Sequence, residues 1–349
     1  MTSLPTRPAR GTFPALLCVL LLGGCAERPA EDEGFRVVGS SPPDSPWSLQ
    51  WQRFAETLAA DPRMGLAPAL YVHGQLGEPE RTIQSLRRGR VQLGGFPLSA
   101  AASLVPEVAM LNAPYLFASE TEADHVIDGY LQPAFERLFA AQGVTVLSWT
   151  EAGWNHLYAT RALQVPADLR NFPVRSQPTL GSRVLFDSLG ADVRPIPFGD
   201  LLSSLQTGLV RGGDANLVLY LAGGIVDEAP HLTLTAHVFE VGVILANTAW
   251  WESLDDGQRA ALRAALGPRQ RLRAEVARQS GLLLDPAIAS GRLQVHAPDE
   301  AALGQWRAVA PAVRERLVRE IGGEAAAIDA LITAGQQSFA TAAVSPAAP

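Results

Sequence analysis

Histidines are the first residues whose types and spacing could carry chemistry in this sequence. The six histidines are His73, His125, His156, His231, His237 and His296. None of them forms an HExxH motif or another close metal-ligand pair, because His231 and His237 are separated by an apparent strand. We therefore expect surface or hydrogen-bonded core histidines, and we predict no metal site.

Nucleophile and nucleotide motifs are also missing from the sequence. There is no GxSxG elbow and no SxxK motif. The Gly94–Gly95 pair and the predicted turn at Gly212–Gly213–Asp214 lack the GxGxxG spacing and the following helix that a dinucleotide site requires. No spacing of carboxylates marks an acid/base pair. We therefore predict a protein that is not an enzyme and needs no cofactor, although catalytic partners can converge in space.

Composition excludes further classes of function. The chain has 349 residues and 28 basic side chains, all of them arginine. Without lysine there is no Schiff-base chemistry and no phosphate-binding lysine of the Walker type. The net charge of −7 argues against a nucleic-acid partner. With 47% hydrophobic residues, the chain can bury a large core, and its length suits two domains.

Residues 1–24 have the pattern of an export signal. Arg7 and Arg10 precede an apolar run that ends at Leu22, and this run of about ten residues is too short to span a membrane. The following Leu-Gly-Gly-Cys resembles a bacterial lipobox, so we predict a lipoprotein signal peptide with lipidation at Cys25. The alternative is a plain secretory signal with a chance cysteine. Residues 25–34 are polar and acidic, as in a flexible tether.

Alternating strand and helix patterns predict an α/β protein. Strands are expected at 35–39, 69–73 and 91–96, separated by amphipathic helices, which favours a parallel sheet covered by helices. Further along, the pattern predicts a helix at 120–143 interrupted at Pro133. Separate strands are expected at 144–149 and 154–160, with another at 216–221. A helix capped by Ser253 is expected to follow.

Arg175 is the residue that is best placed for ligand binding. It ends a predicted strand, and a helix begins a few residues later, near Thr179. In open α/β sheets, ligands bind beside the carboxyl ends of strands and the starts of helices. An arginine there offers a fork of donors that fits a carboxylate. The alternative is an ordinary surface or ion-paired arginine.

An ordered series of motifs gives the strongest functional signal. The motifs, between Phe35 and Leu266, are SPW, HGQLGEPE, APYLF, GVTVLSW, EAGWNHLYAT, VPADLRNFPVR, LGADVRPIPFGDLLSSLQTGLVRGGDAN, LTLTAHVF and WWESLDDGQRAAL. In this order they closely resemble the solute-binding proteins of tripartite ATP-independent periplasmic (TRAP) transporters, the DctP family. The resemblance covers most of the chain that remains after the predicted export signal.

The resemblance implies a two-lobed periplasmic solute-binding fold, with a ligand cleft between the lobes and hinge strands that cross between them. We assign residues 35–152 plus 241–280 to lobe I. Residues 153–240 plus 281–340 form lobe II.

The resemblance also suggests individual ligand-binding residues. Arg175 stands where the family has the arginine that forms the main salt bridge to a ligand carboxylate. Asp214 stands for a glutamate that helps to hold the ligand, whereas Ala215 occupies the usual asparagine place and Asn216 follows one residue late. Asn155 stands where acid-binding members often have a second arginine.

The missing second arginine favours a monocarboxylate ligand over a ligand that needs two arginines to bind it. The ligand body would rest on aromatic side chains, for which core packing is the alternative role. The candidates are Trp154, Phe96, Phe198 and Tyr220.

The function implied by the resemblance is capture of a small organic acid and its delivery to the small and large TRAP permease proteins. The protein would be periplasmic and held at a membrane only by its lipid anchor. Two alternatives stay open, namely a binding protein that feeds a sensor and a secreted enzyme that uses the same cleft.

Overall fold

The computed structural model describes residues 34–63, 65 and 67–344. The predicted signal peptide (1–24), Cys25 and all of the predicted tether except Gly34 lie outside the described residues. None of the helices in the described part of the chain combines the length and apolar character needed to cross a lipid bilayer.

The described strands form one mixed sheet in the order β2-β1-β3-β8-β4-β7-β5-β6, with β9 paired to β8. They are β1 (Phe35–Val38), β2 (Pro68–Tyr71), β3 (Leu93–Pro97), β4 (Val144–Ala159), β5 (Pro173–Ser176), β6 (Asp192–Pro195), β7 (Gly212–Asn216), β8 (His231–Asn247) and β9 (Gln294–His296).

Helices cover this sheet, and several begin at capping side chains. The α-helices are α1 (Pro46–Ala59), α2 (Pro79–Arg87), α3 (Leu98–Ala101), α4 (Glu120–Val126), α5 (Gln132–Ala140), α6 (Leu180–Ser188), α7 (Leu201–Gln206), α8 (Leu217–Ala222), α9 (Ile225–Glu228), α10 (Thr248–Ser253), α11 (Asp256–Leu266), α12 (Arg269–Ala289), α13 (Glu300–Arg307), α14 (Ala310–Ile321) and α15 (Ala325–Val344). Ser45 caps α1 and Thr179 caps α6, each accepting a backbone N–H.

The α/β architecture agrees with the sequence prediction, and the first three strands pair in parallel as expected, although the complete sheet is mixed. Neighbouring strands are parallel at both ends of the sheet, as in β1–β2 and β5–β6. In the centre β4 and β8 run antiparallel to each other, and β3 and β7 pair antiparallel to them. Two long strands of opposite direction therefore join the two parallel regions.

Strand β4 replaces the two short strands that the sequence pattern predicts. Glu151 and Gly153 pair with Val241 and Glu240, so Ala152 is an extra residue in the ladder. Gly153 has φ +86°, a conformation that favours glycine. The apparent break in the pattern is thus a β-bulge that bends the strand without ending it.

Local predictions around β7 and α11 were also wrong. Gly212 and Gly213 lie in β7, not in a turn, because they let Tyr158 of β4 approach closely: a Cβ at Gly213 would lie 2.6 Å from the Tyr158 hydroxyl. Residues 216–221 form α8 with Asn216 as its cap, since a short apolar run fits either structure. Asp255 caps α11, whereas Ser253 is the last residue of α10.

The apolar core follows both faces of the sheet. One cluster packs Trp51 and Phe54 of α1 against Ile244 of β8. Another contains the stacked rings of Tyr158 and Tyr220, whose centroids are 5.7 Å apart. The largest cluster also includes side chains of the C-terminal helices α13 to α15.

The C-terminal helix α15 packs against α4 and the adjoining π-helical segment Ile127–Leu131. It thus reaches residues that the sequence analysis assigns to lobe I, although 281–340 are assigned to lobe II. The division into lobes remains our interpretation.

A buried ion-pair network ties α12 to the middle of β4. Glu151 is only 2% exposed, and Arg273 donates to both of its carboxylate oxygens at 2.6 and 2.7 Å. Arg273 and Arg269 also pair with Asp124 of α4. Burial by itself would raise the pKa of Asp124, but the arginines lower it overall. The network fixes α12 beside the bulge of β4.

Gly242 offers a test of this central packing. A Cβ there would lie 2.8 Å from both the Phe96 carbonyl oxygen and the Thr150 Cγ2. We expect Gly242→Ala to lower the free energy of unfolding by about 1–3 kcal/mol through overpacking, measured by denaturant titration. The control is Gly304→Ala in α13, where no atom lies within 4 Å. That helical change should be neutral or stabilising by up to about 1 kcal/mol. Equal effects at both sites would contradict the close packing at Gly242.

Candidate functional site

A cavity of about 160 Å³ lies where β4 and β8 pass each other. It is bounded by the β1–α1 loop and α1, by β3, by the bulged part of β4 and the adjacent part of β8, and by the start of α8. Its lining residues are Ser40, Ser41, Pro42, Trp47, Gln50, Trp51, Gly95, Phe96, Pro97, Thr150, Glu151, Ala152, Asn216, Leu219, Glu240, Val241, Gly242 and Ile244. Both predicted lobes therefore contribute to its wall.

Two carboxylates line this cavity, and their surroundings differ. Glu151 is ion-paired with Arg273 and Arg269. Glu240 is half-buried and makes no ion pair with a described residue, and its Oε2 accepts a hydrogen bond of 3.3 Å from Asn216. Burial raises the pKa of Glu240, although Asn216 and the positive charge of Arg175 act in the opposite direction.

Aromatic side chains form much of the apolar wall of the cavity. Trp51 packs directly over Gly95, where a Cβ would come within 3.0 Å of the indole ring. Trp47 lies at the start of α1, and its Nε1 donates to the Glu151 carbonyl oxygen at 2.8 Å. This hydrogen bond links α1 to the bulged region of β4. Phe96 completes the wall from β3.

Arg175 lies on β5 and is 4% exposed. Its Nε donates to the Ile196 carbonyl oxygen at 3.0 Å. Its terminal nitrogens make no hydrogen bond or ion pair within the described chain. Arg175 is not part of the cavity wall, but its charge acts on both Glu240 and the buried Tyr158 hydroxyl. The protein thus carries a buried guanidinium without an internal counterion in direct contact.

Asp214 organises the loop that follows Arg175. Its carboxylate accepts hydrogen bonds from Ser182 at 3.2 Å and from Gln177 at 3.1 Å, with a longer contact of 3.5 Å from Asn155. His237 Nε2 lies 3.6 Å away. Asp214 therefore holds the β5–α6 loop in place with internal contacts. Within the described residues, no three metal-ligating side chains come together.

An irregularity of β8 lies beside this polar cluster. Residues 234–237 of β8 oppose only His156 on β4, because Asn155 pairs with Val238 and Leu157 with Thr233. Ala236 has φ +43°, and its backbone N–H donates to His156 Nδ1 at 3.1 Å. An acceptor at Nδ1 requires the unprotonated form of that nitrogen. Accordingly, burial, with a smaller contribution from His237, lowers the pKa of His156 to about 4.

The structure brings some of the predicted ligand-binding residues together and separates others. Phe96 and Asn216 line the cavity. Arg175, Asn155 and Asp214 lie in the polar region next to it. Tyr220 is fully buried and donates to the Ala229 carbonyl oxygen, which places it in the core. Phe198 is 43% exposed and lies outside the cavity wall.

Trp154 lines a second cavity of about 320 Å³, which shares Glu151 and Ala152 with the first. The Trp154 indole N–H donates to Glu120 at 2.8 Å, and its ring packs on Phe239 at 5.0 Å. Trp154 is therefore engaged between β4, β8 and the start of α4.

Glu240, Trp47 and Trp51 are cavity residues that sequence reasoning missed. Trp47 and Trp51 occupy neighbouring turns of α1, and their helical spacing also fits ordinary core packing. Glu240 is the only acidic residue in the long strand β8. A single carboxylate inside a long, mostly buried strand was the signal that could have identified it.

His156 gives the site a testable pH dependence. The unfolded chain takes up a proton at this residue below about pH 6.5, whereas the folded protein resists protonation until about pH 4. The contribution of His156 to stability is therefore lost as the pH falls through this window. Between neutral pH and pH 4, His156 should cost the wild type on the order of 3 kcal/mol in free energy of unfolding. His156→Gln should not show this loss.

Denaturant unfolding of wild type and variant at each pH measures this difference. The control is His73→Gln, since His73 is exposed. A pH-independent difference between wild type and His156→Gln would contradict the assignment.

Comparison with known proteins identifies the family. The model of the bacterial extracellular solute-binding proteins, family 7 (DctP), matches residues 37–320. A solute-binding protein of Chromohalobacter salexigens is 26% identical over 252 residues, which cover 72% of this chain and 75% of the relative.

Solved structures show the same fold. The periplasmic ectoine-binding protein of the TeaABC TRAP transporter of Halomonas elongata superposes with a TM-score of 0.81 at 20% identity, covering 87% of this chain and 99% of that one. The sugar acid binding protein DctPAm of Advenella mimigardefordensis, solved with galactonate, gives a TM-score of 0.79 at 25% identity, covering 88% and 99%. The prediction of a two-lobed solute-binding fold is confirmed, and the chain belongs to the DctP family of TRAP transporter solute-binding proteins.

Proposed function

We propose that this protein captures a small organic acid between its lobes through Arg175 and delivers it to a TRAP membrane permease. The role of a TRAP solute-binding protein follows from family membership. The identity of the anchor residue and the class of ligand are our proposal. Relatives are described as binding ectoine and galactonate, so carboxylate-bearing solutes are the natural candidates.

The observation that carries the proposal is the state of the Arg175 side chain. A buried charge is normally paired, because its removal from water costs several kcal/mol. Arg175 is 4% exposed, and among the described residues it makes only the hydrogen bond from Nε to Ile196. Its terminal nitrogens form a planar fork that fits both oxygens of a carboxylate. A ligand carboxylate would supply the missing counterion.

The neighbouring polar groups support the same assignment. Buried polar atoms without a hydrogen-bond partner in the described chain include Asn155 Oδ1, the Tyr158 hydroxyl and Ser176 Oγ. All three belong to residues on β4 or β5, near Arg175. Unpartnered buried groups are rare in folded proteins, and binding sites are one place where they persist.

The crossing strands provide a route from binding to transport. Since β4 and β8 each run through both lobes, bending at the Ala152 bulge changes the angle between the lobes. The ligand favours the closed form only if it gains contacts there that the open form lacks. We propose that the closed, loaded protein is the form that docks on the permease.

We propose a lipid anchor at Cys25 as the means of retention outside the cytoplasm. Each buried methylene of an acyl chain contributes roughly 0.8 kcal/mol, so several chains hold a protein firmly at a membrane. An extracytoplasmic location fits the family.

Replacement of Arg175 tests the proposed ligand contact. We expect Arg175→Gln to abolish the thermal stabilisation that organic acids give to the wild type. A ligand at about 100 times its dissociation constant stabilises by about 2.7 kcal/mol, which a thermal-shift assay detects readily. The screen uses pentanoate, 4-aminobutanoate, succinate and gluconate as probes.

Arg194→Gln is the matched control for this experiment. Arg194 pairs with Arg175 in register on the adjacent strand, but its side chain lies at the surface and bonds to Asp192. It should therefore retain wild-type binding. Unchanged affinity in Arg175→Gln would disprove the proposed anchor.

Replacement of Cys25 tests the proposed lipidation. Cys25→Ala should release the protein from the membrane fraction into the soluble extracytoplasmic fraction, because no acyl chain can then be attached. Cys18→Ala, within the predicted signal peptide, should leave membrane attachment unchanged. Fractionation followed by intact mass measurement gives both readouts. Membrane attachment of Cys25→Ala would disprove the anchor without affecting the proposed ligand site.

A further inference from the structure

We propose that the ligand is a zwitterion, whose ammonium group binds in the cavity beside Glu240 and whose carboxylate binds Arg175. This inference rests on the proposed function, and it narrows the ligand from an organic acid to an ammonium carboxylate. It also assigns Glu240 a role in specificity.

The charge of the cavity wall is the first argument. No arginine lines the cavity, and both of its charged lining side chains are carboxylates. Glu151 is neutralised by Arg273 and Arg269, so it adds little net charge. Glu240 has no ion pair in the described chain, and its hydrogen-bond partners are the neutral amides of Asn216, at 3.3 Å, and Asn155. The cavity wall therefore presents one uncompensated carboxylate.

Burial of the charged Glu240 side chain has a free-energy cost, which a ligand cation would reduce. Burial raises the pKa of Glu240, because the charged form of a buried carboxylate is poorly solvated without a partner. A ligand cation near Glu240 would supply the partner, in the same way that a ligand carboxylate would neutralise Arg175. A simple anion would instead meet a repulsive charge next to its binding site.

Aromatic residues strengthen the preference for a cation. Trp47, Trp51 and Phe96 line the same cavity as Glu240. Aromatic faces attract ammonium groups through the ring quadrupole, and tryptophan does so best. Ser40, Ser41 and Gln50 supply neutral polar groups on the same wall. The combination of a carboxylate with aromatic rings suits an ammonium or alkylated ammonium group.

Arg175 and Glu240 are arranged to bind the two ends of one small molecule. They lie on different strands, β5 and β8, and make no direct ion pair. Nevertheless, the charge of Arg175 opposes the rise in the pKa of Glu240, so the two groups interact electrostatically. Two opposite charges that interact without direct contact match the two charged ends of a zwitterion. A dicarboxylate would place its second negative charge near Glu240.

Pairs of isosteric probes separate charge from shape. We would measure binding of 4-aminobutanoate against pentanoate, and of trimethylammonioacetate against 3,3-dimethylbutanoate, by isothermal titration calorimetry. In each pair the two molecules differ in the positive charge but hardly in size. Gluconate serves as the hydroxylated acid without a cation. The wild type should bind the cationic member of at least one pair about tenfold more tightly than its neutral partner.

Glu240→Gln assigns this preference to one residue. The change removes the charge but keeps a side chain of the same size that can still bond to Asn216. It should weaken binding of the cationic probe by about tenfold and leave binding of the neutral probe nearly unchanged, so the preference for the cation is lost. The control is Glu252→Gln, because Glu252 is an exposed residue of α10. Equal thermal unfolding of the unliganded proteins confirms that each variant is folded.

The outcomes distinguish this inference from the proposed function. Tighter binding of the neutral probes or gluconate by the wild type, with affinity raised in Glu240→Gln, would overturn the zwitterion proposal. Such a result would leave Arg175 as the carboxylate anchor. Conversely, loss of the cation preference in Glu240→Gln together with full binding in Arg175→Gln would support the role of Glu240 and contradict the anchor.

Discussion

The antiparallel pairing of β4 with β8 is the constraint on which the rest of the structure depends. β8 pairs with β3 of one parallel region and β4 pairs with β7 of the other, so the pairing of β4 with β8 joins the two regions. The pairing has three irregularities, at Leu147, at Ala152 and at residues 234–237. The irregularity at Ala152 lies at the cavity that contains Glu240, and the one at 234–237 lies at the polar cluster around Asp214 and His156. The bulges allow one continuous sheet to present polar side chains at its centre.

The two carboxylates at this crossing, Glu151 and Glu240, differ in their ion pairing. Glu151 is fully paired with arginines of α12, which stabilises the packing of that helix against β4. A buried pair of this kind contributes little net stability, but removal of one partner is costly because it leaves an unpaired charge. Glu240 and Arg175 instead lack direct ion partners in the described chain. The charged side chain with a structural role, Glu151, is therefore paired within the protein. The charged side chains proposed to bind ligand, Glu240 and Arg175, have no such internal ion pair.

Sequence reasoning recovered the fold but not the cavity, for physical reasons. Arg175 could be proposed as the anchor because a strand end followed by a helix start is a local pattern, and the motif order supplied the family. The position of Glu240 beside Asn216 was not predictable, because it depends on how β8, β4 and β7 pair over a separation of many residues. Residues 216–221 were assigned to a strand since short apolar runs do not distinguish helix from strand. Gly212 and Gly213 suggested a turn, but their small size serves close packing against Tyr158.

The hydrogen bond between the Trp154 indole and Glu120 has a consequence for the optical properties of the protein. It joins a residue of β4 on one side of the bulge to the start of α4, which we assign to the other lobe. Indole emission depends on the polarity and hydrogen bonding around the ring. Movement of one lobe against the other therefore changes the surroundings of a native fluorophore. Trp47 donates to the backbone of the same bulge, so its surroundings depend on the same strand. Native tryptophan emission would therefore report the proposed lobe movement.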